Sequence, residues 1–450
     1  MTPINWPASR QAFIILGLFA LFWFSWASHS RTLFNGLATP LFFALAAYLV
    51  VLASQYRIAV TPRSLLLFSL FATWAVFADS RSGEFLPALA MDTHWFILPL
   101  ATLLMAQVFR EYPLAFHAIR IGAALCIINL LLTMLVNAEW YDNWHYPPIF
   151  GHIQHLALSI GFLSVLLFAK NEMAGWVAVF LRLSRILGLA LVFWSGSRSS
   201  LLALVCSMAV FIYCDWRWAK TLLIDGLVAI TLSFFPAPPF PKPEGVLPRI
   251  LGGVQLKSID EVTVDTLTSS RLTIWQSTLS GLNDIGRLWT GVGGNGYARL
   301  QVMHGVIFKP AGHVQAHNGI VQSICDWGLV GLMLLGSFFY QSTLRPIIAD
   351  RKNNDPTALA GIVYLLVTGM LDATLYHLEH LIYLAIAMAW LISQKPLRDE
   401  KDCHSGTLGD RAGTQSGADP HPDNRLSHRS LLVFSDRIEH SGTLSVICRR

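Results

Sequence analysis

The sequence predicts an all-α, polytopic membrane protein with about twelve transmembrane helices and one large loop on the outer face. Three observations carry this prediction. Hydrophobic residues make up 54% of the 450 residues and charged residues only 13%, about half the charged share of an ordinary soluble domain. Apolar runs of the roughly 20 residues that a helix needs to cross a bilayer recur along most of the chain. Lysine and arginine gather in alternate short loops between these runs.

The apolar runs predict twelve spans. We place them at residues 11–28, 36–54, 64–79, 86–109, 117–136, 153–169, 180–197, 199–214, 220–235, 318–341, 357–376 and 380–394. The first run follows Arg10 as a secretion signal would, but no small-x-small cleavage pattern closes it, so we expect it to be retained. The segment Phe180 to Arg185 carries two arginines, and we expect it to lie along the membrane interface before its helix begins.

Positive charge separates the two sides of the membrane. One set of short loops carries Arg10, Arg57, Arg63, Arg110, Arg120, Lys170, Arg217, Lys220, Arg345, Arg351 and Lys352. The opposite short loops carry little beyond Arg31 and Arg81. Because basic loops stay in the cytoplasm, both termini are predicted to be cytoplasmic.

This topology divides the chain into four parts. Residues 1–235 form the first part of the transmembrane bundle, 236–317 an outer loop subdomain, 318–394 the second part of the bundle, and 395–450 a cytoplasmic tail. The outer loop is too long for a structureless connection, so we expect a lid or small subdomain. The tail is polar without an apolar period and is predicted to be disordered. No interleaved basic and aromatic stretch indicates nucleic acid, and the loop has no cysteine for a disulfide framework.

Arg198 lies in the sequence S-G-S-R-S-S-L, between two apolar runs. An arginine at the hydrocarbon edge costs up to about 3 kcal/mol and usually has a partner. Its planar fork of donors suits phosphate oxygens. A snorkelling arginine that pairs with lipid headgroups is the alternative, and the flanking serines favour the phosphate site.

Arg271 follows two serines that suit a helix N-cap. Leu272, Trp275 and Leu279 then recur at helical spacing, which predicts a helix with one apolar face on the membrane or the transmembrane core. An anion bound at this helix start would be favoured by the helix dipole and the guanidinium. An ordinary solvated arginine fits the sequence equally well.

The segment G-V-G-G-N-G from Gly291 to Gly296 matches the dinucleotide fingerprint letter for letter. No strand precedes it and no strand–helix alternation surrounds it, so we reject that interpretation. Two interpretations remain. The turn gives a ligand access to backbone amides, or it is a tight bend before a helix at Tyr297.

The segment from Ala316 to Leu332, A-H-N-G-I-V-Q-S-I-C-D-W-G-L-V-G-L, starts with His317 and Asn318. It is predicted to continue as an unbroken apolar helix to about Tyr340. An imidazole, with an ordinary pKa of about 6.5, can accept a proton at neutral pH. A lone histidine is usually structural, but one placed where an outer loop enters the membrane suits a general base acting on a lipid-linked substrate.

Other ionisable residues give weaker signals. His313 precedes His317 by four residues, a metal-ligand spacing, but the glutamate of a zinc protease motif is absent and nearby proline and glycine disfavour a helix. The pairs His152/His155 and His377/His380 lack a third ligand in obvious register. Ionisable residues within spans are candidates for function by default; here they are Asp92, His94, Asp372 and Glu379. No Asp-x-Asp pair in an outer loop provides a clamp for a divalent ion, so no metal is predicted.

These motifs together resemble a known family. The S-G-S-R-S-S-L-L-A-L turn, Arg271 ahead of the glycine-rich turn, and the H-N-G-I-V-Q-S-I-C-D-W-G-L-V-G-L helix entry are similar to the O-antigen ligase family of Gram-negative bacteria. The resemblance covers roughly residues 140–340. One departure is the sequence P-P-I-F-G-H-I-Q-H, where the family would have an asparagine near the glycine, which leaves the roles of His152 and Gln154 open.

The resemblance implies a metal-independent, inverting membrane glycosyltransferase of the C type (GT-C) that needs no cofactor. Such an enzyme moves O-antigen from undecaprenyl diphosphate to a sugar hydroxyl of lipid A–core, on the periplasmic side of the inner membrane, among membrane lipids. By position, Arg198 and Arg271 would hold the donor diphosphate, His317 would deprotonate or position the acceptor hydroxyl, and Asn318 would orient the site.

Two alternatives stay open. An O-antigen polymerase uses the same donor but a second lipid-linked glycan as acceptor, and such enzymes tend to have two sizeable outer loops where this chain has one. A lipid-linked glycan transporter would place ionisable residues at mid-membrane in paired half-repeats, and no internal repeat is visible.

Overall fold

The computed structural model describes residues 62–111, 113–136, 147, 153–169, 175–234, 271–306, 316–345, 355–372, 374–376 and 378–394. Within them the chain folds into helices and turns without a strand, as predicted. The helices are α1 (Pro62–Ser80), α2 (Phe85–Glu111), α3 (Pro113–Val136), α4 (Ile153–Leu166), α5 (Trp176–Ser195), α6 (Arg198–Cys214), α7 (Trp218–Ser233), α8 (Arg271–Asp284), α9 (Gly296–His304), α10 (Gly319–Phe339), α11 (Pro356–Asp372) and α12 (Leu378–Ser393). A π-helical turn, Tyr340–Leu344, extends α10, and a 3₁₀ turn, Thr374–Tyr376, follows α11.

Every predicted span from 64–79 onward coincides with a helix. Four helices are long and apolar enough to cross a membrane, namely α2, α3, α5 and α10 with its extension. Shorter apolar helices are α4, α6, α11 and His380–Ser393 of α12. The chain is therefore helical with membrane-spanning character. The spans 11–28 and 36–54 and the tail 395–450 lie outside the described residues, so the total of twelve spans and the GT-C-like arrangement stay predictions.

Local sequence signals set several helix boundaries. Pro62, Pro113 and Pro356 each occupy the first position of a helix, where proline costs no hydrogen bond and its fixed φ suits the helix. Gly196 ends α5 with a φ of 65°, and only Ser197 separates it from α6. The left-handed glycine lets the chain reverse sharply, so the serine-rich sequence forms the predicted tight turn.

We predicted that the segment around Arg182 and Arg185 lies before its helix, and this is wrong. Helix α5 already begins at Trp176 and includes both arginines. Asp225 of α7 is fully buried and accepts hydrogen bonds from both guanidiniums, with Arg182 Nη2 at 2.9 Å from Oδ1. Arg185 also stands 4.1 Å from the ring centroid of Phe168. Since a partner within the bundle compensates both arginines, the helix continues through them.

Helices α6 and α11 run in opposite directions along each other. Ser207 Oγ of α6 donates to the Ala360 carbonyl of α11 at 2.9 Å, and Ser200 hydrogen-bonds the Tyr364 side chain. The N-terminal part of α6 therefore lies beside the C-terminal part of α11. This pairing places the end of α6 that carries Arg198 towards the C-terminal half of α11.

Helix α10 is broken, contrary to the prediction of an unbroken helix. Gly328 has φ 69° and ψ −177°, a conformation open essentially to glycine alone. The break frees backbone groups that bind neighbouring segments: Cys325 O accepts from Val292 N (2.8 Å), Asp326 O from Gly293 N (2.9 Å) and Trp327 O from Trp74 Nε1 (2.8 Å), while Leu329 N donates to Leu288 O (3.0 Å). Non-helical backbone at membrane depth requires such internal partners.

A second, smaller hydrophobic core lies beside the main bundle. It joins α8, α9 and the start of α10 through Ile274, Leu282, Val292, Tyr297, Leu300, Ala316, Val321, Ile324 and Cys325. The helices predicted at Arg271 and at Tyr297 are both present. The apolar face of α8 packs on this second core, whereas we predicted that it lies on the membrane or the transmembrane core. Burial raises the pKa of the Tyr297 phenol to about 12, so this side chain is neutral at physiological pH.

Candidate functional site

His317 lies immediately before α10 in a left-handed backbone conformation with φ 50°. Among the described residues, Asn295 is the only other non-glycine residue with a positive φ. Asn318 then starts the helix, because its Oδ1 accepts hydrogen bonds from Ile320 N at 2.8 Å and Val321 N at 3.1 Å. A side-chain cap of this kind fixes where the helix begins. Asn318 therefore holds His317 at a defined point between loop and helix.

Glycine allows α10 and α11 to approach closely at this point. A Cβ on Gly319 would lie 2.8 Å from the carbonyl oxygen of Gly369, a contact that real Cβ atoms do not make. The start of α10 therefore packs directly against the last turn of α11. This approach brings His317 next to Asp372, the last residue of α11.

The carboxylate of Asp372 joins His317 to Arg271. Its Oδ1 lies 3.2 Å from His317 Nδ1 and 3.4 Å from Arg271 Nη2, and Arg271 also donates to the carbonyl of Leu371. Asp372 is 7% exposed, whereas the side chains of Arg271 and His317 keep 19% and 30% of their surface accessible. The acid is thus buried behind a histidine and an arginine that both reach solvent.

The contact with Asp372 favours one tautomer of the His317 imidazole. A carboxylate only accepts hydrogen bonds, so Nδ1 of His317 carries the proton that faces Asp372. In this tautomer the lone pair of the ring lies on Nε2. The arrangement places an imidazole and a guanidinium on the same carboxylate.

The sequence predicted His317 and Arg271 as site residues but did not predict a role for Asp372. The acid was visible only as an ionisable residue near the end of a span. Its sequence separation of 55 residues from His317 and 101 from Arg271 hides the contact. The contact between His317 and Asp372 depends on the close approach of Gly319 to Gly369, and no local sequence pattern predicts that approach.

Arg198 is the first residue of α6, at the end that faces the C-terminal half of α11. Its neighbouring serines bond mostly to one another: Ser197 Oγ lies 3.2 Å from Ser199 Oγ and 2.9 Å from Ser200 Oγ. Arg198 is half-buried. The structure thus brings Arg271 and His317 into one cluster, and places Arg198 on the helix that flanks α11.

The glycine-rich turn is a packing element, which favours the second of its two interpretations. The Gly293 amide donates to Asp326 O at 2.9 Å, the Gly294 amide to Asp79 Oδ1 at 2.9 Å, and the Gly296 amide to Asp326 Oδ1 at 2.6 Å. A Cβ on Gly291 would lie 2.3 Å from Asp326 O. These amides are occupied by protein acceptors, and the turn seats against the break in α10.

Asp92, predicted as a functional candidate in a span, has a structural partner. Its Oδ2 accepts a hydrogen bond of 2.6 Å from the indole of Trp327, and it is 1% exposed. This bond holds α2 against the segment where α10 breaks. His94 Nδ1 lies 3.4 Å from the Met91 carbonyl one turn earlier in the same helix.

An apolar cavity of about 280 Å³ opens beside the His317 cluster. Its lining begins at Gly319 and Gly369, where α10 meets α11, and continues along α10 through Gly336 and Phe339 to the π-helical turn. Ser323 and Tyr376, whose hydroxyl oxygens lie 3.1 Å apart, also line the cavity. The groove therefore begins at Gly319, two residues after His317.

The other histidines of the sequence analysis add no metal site here. Within the described part of the chain, no three His, Cys, Asp or Glu side chains are placed to hold a metal ion. His152, His313 and His377 lie outside the described residues, and metal independence stays a prediction.

Residues 183–336 match a protein-family model described as O-antigen ligase. The matched range contains Arg198, Arg271, the glycine-rich turn, His317 and the break in α10, whereas Asp372 lies beyond it. No curated protein matches the chain.

Proposed function

Since residues 183–336 carry an O-antigen ligase family domain, we propose that this chain is a bacterial inner-membrane glycosyltransferase that transfers O-antigen from undecaprenyl diphosphate to lipid A–core. The family covers ligases and related polymerases and implies lipid-linked polysaccharide as a partner. The observation that supports the proposal is the cluster of His317, Asp372 and Arg271 next to an apolar groove that begins at Gly319 and Gly369. A base and a cation at the boundary between polar and apolar surroundings suit a substrate with a lipid tail and a charged leaving group.

In the proposed reaction, His317 Nε2 takes the proton from the acceptor hydroxyl as that oxygen attacks the anomeric carbon of the donor sugar. The bond between this carbon and the diphosphate oxygen breaks, and the diphosphate leaves with the electron pair. Attack from the side opposite the leaving group inverts the anomeric centre. A positioned base contributes typically about 10²–10⁴-fold to such a step.

Arg271 and Arg198 would stabilise the charge that develops on the diphosphate. Fixed guanidiniums in a water-poor site stabilise a leaving anion without reorganisation, and their planar forks match phosphate oxygens. Arg271 contacts Asp372 in the cluster, and the antiparallel packing of α6 on α11 supports a role for Arg198 at the start of α6. The isoprenoid chain of the donor would lie in the groove along α10, so that the diphosphate sits at its mouth.

The test is transfer by the purified full chain in liposomes, with polyprenyl-diphosphate-linked glycan as donor. We expect glycan on lipid A–core, and we expect His317→Ala to lower kcat by about 10²-fold or more. His304→Ala is the matched control, because His304 is exposed at the end of α9 and should leave transfer unchanged. Joining of two lipid-linked glycans in the absence of lipid A–core would instead identify a polymerase. Full transfer by His317→Ala would remove the base from the proposal.

A further inference from the structure

Two arginines at the far end of α8 have no carboxylate partner among the described residues. Arg81 follows the end of α1, and Arg287 follows the end of α8. The ion pairs in the described part of the chain include neither of them. Nη1 of Arg287 is buried and donates no hydrogen bond to any described residue. A buried guanidinium donor without an acceptor is costly, so the site favours an incoming acceptor.

The two turns that carry these arginines pack against each other. A Cβ on Gly293, in the turn that follows Arg287, would lie 2.8 Å from Ser82 Cβ, next to Arg81. Burial lowers the pKa of the Arg287 guanidinium, and the positive charge of Arg81 lowers it further. The fold therefore holds two like charges close together, an arrangement that an anion between them would stabilise.

Among the described residues, the nearby acids form no ion pair with either arginine. Asp79 Oδ1 accepts from the Gly294 amide at 2.9 Å, and Glu84 lies 3.0 Å from Arg299 Nη1. Asp284 is exposed at the end of α8 and forms no ion pair with a described residue. The positive charge of the pair is thus available to a ligand.

The pair borders an exposed apolar surface. The Arg81 guanidinium lies 5.6 Å from the ring centroid of Phe77. Phe77, Leu70 and Leu66 are exposed and follow one face of α1 at intervals of seven and four residues, which align on a helix. Trp289, two residues after Arg287, is 60% exposed. Two cations above an apolar stripe match an amphiphile with an anionic headgroup.

We propose that Arg81 and Arg287 bind a phosphate on the headgroup of the glycolipid acceptor, whose acyl chains lie along α1. The identity of this ligand rests on the proposed function. In the donor, the phosphates are the leaving group and must lie at the reacting carbon, beside His317. The 14 residues of α8 separate Arg271 from the Arg287 end by about 20 Å. A phosphate bound there belongs to the other substrate, whose glycan spans that distance to place its hydroxyl at His317.

The experiment measures binding of lipid A–core and of its phosphatase-treated form to the full chain by native mass spectrometry. We expect the wild type to prefer the phosphorylated lipid by about tenfold or more, the loss expected for a charged hydrogen bond. Arg81→Gln and Arg287→Gln should each reduce this preference, and the double variant should abolish it. Arg63→Gln is the matched control, since Arg63 is exposed at the opposite end of α1 and should keep the preference.

Equal binding of the two lipids by the wild type, or a full preference for the phosphorylated lipid in the double variant, would overturn the proposal. Equally strong competition by phosphatidylglycerol would also overturn it, because it would indicate a general site for lipid headgroups. In the transfer assay, the double variant should raise KM for lipid A–core while KM for the donor stays constant. A wild type that transfers no glycan defeats the proposed function alone, because the binding comparison still decides the phosphate site. The exposed Arg81 can be tested singly if the double variant does not fold.

Discussion

At the scale of single residues, the candidate site contains one buried carboxylate that a histidine and an arginine share. Asp372 faces both His317 and Arg271, so it orients the imidazole and the guanidinium with respect to each other. In the proposed reaction, the negative charge of Asp372 would offset the positive charge that His317 gains. A variant that removes the negative charge of Asp372 but keeps the shape of its side chain measures how much this charge contributes to the reaction rate.

We expect Asp372→Asn to lower kcat by about 10²-fold, the lower end of what a working general base contributes. An amide can present its oxygen to His317 or to Arg271, but it cannot stabilise an imidazolium by charge. The measurement is kcat and KM for both substrates across a pH series. Glu111→Gln is the control, because Glu111 is an exposed carboxylate at the end of α2. An unchanged kcat with only a lower melting temperature would reduce Asp372 to a packing residue.

At the scale of secondary-structure elements, apolar periodicity predicted where most helices lie but not where α10 breaks. Trp327-Gly328-Leu329 reads as the middle of an apolar helix, and a glycine in such a run is ordinarily only a weak helix former. The break exists because the turn from Leu288 to Gly296, far away along the chain, supplies the missing hydrogen-bond partners. Contacts between residues distant in sequence also explain why the local sequence of the glycine-rich turn did not show its role. For the same reason the sequence did not show that Asp225 is the partner of Arg182 and Arg185.

Gly328→Ala should destabilise the protein by about 3 kcal/mol or more, the sum of backbone strain and a steric clash. The φ of Gly328 is 69°, and a Cβ there would lie 2.2 Å from the backbone of Trp289. The measurement is thermal unfolding of the purified protein in detergent. Gly336→Ala in the same helix is the control, since no atom lies within 4 Å of its Cβ position and alanine favours the helix by up to about 1 kcal/mol. Equal melting temperatures for the two variants would contradict the broken-helix account.

At the scale of the whole molecule, the cluster and the groove together decide what kind of substrate fits. The sequence predicted the helical, membrane-spanning character from composition and run length, and it predicted the residues at the loop-to-helix boundary from their chemistry. It did not predict the groove, because the cavity is lined by residues from α2, α10, α11 and α12 whose packing is set by contacts far apart in sequence. A lipid chain in a groove that begins at Gly319 would have its headgroup near His317.

Filling this groove should therefore weaken donor binding without altering the chemical groups. Gly336 lines the groove and has open space at its Cβ position, so Gly336→Leu adds an apolar side chain at the groove and improves helix propensity. We expect KM for the polyprenyl-linked donor to rise about tenfold, the loss of roughly 1.4 kcal/mol of apolar contact, while kcat and KM for the acceptor stay near wild type. Gly226→Leu is the matched control, because Gly226 of α7 also has open space at its Cβ position but does not line the groove. A donor KM equal in both variants would show that the isoprenoid chain binds elsewhere, and a raised acceptor KM in Gly336→Leu alone would assign the groove to the acceptor instead.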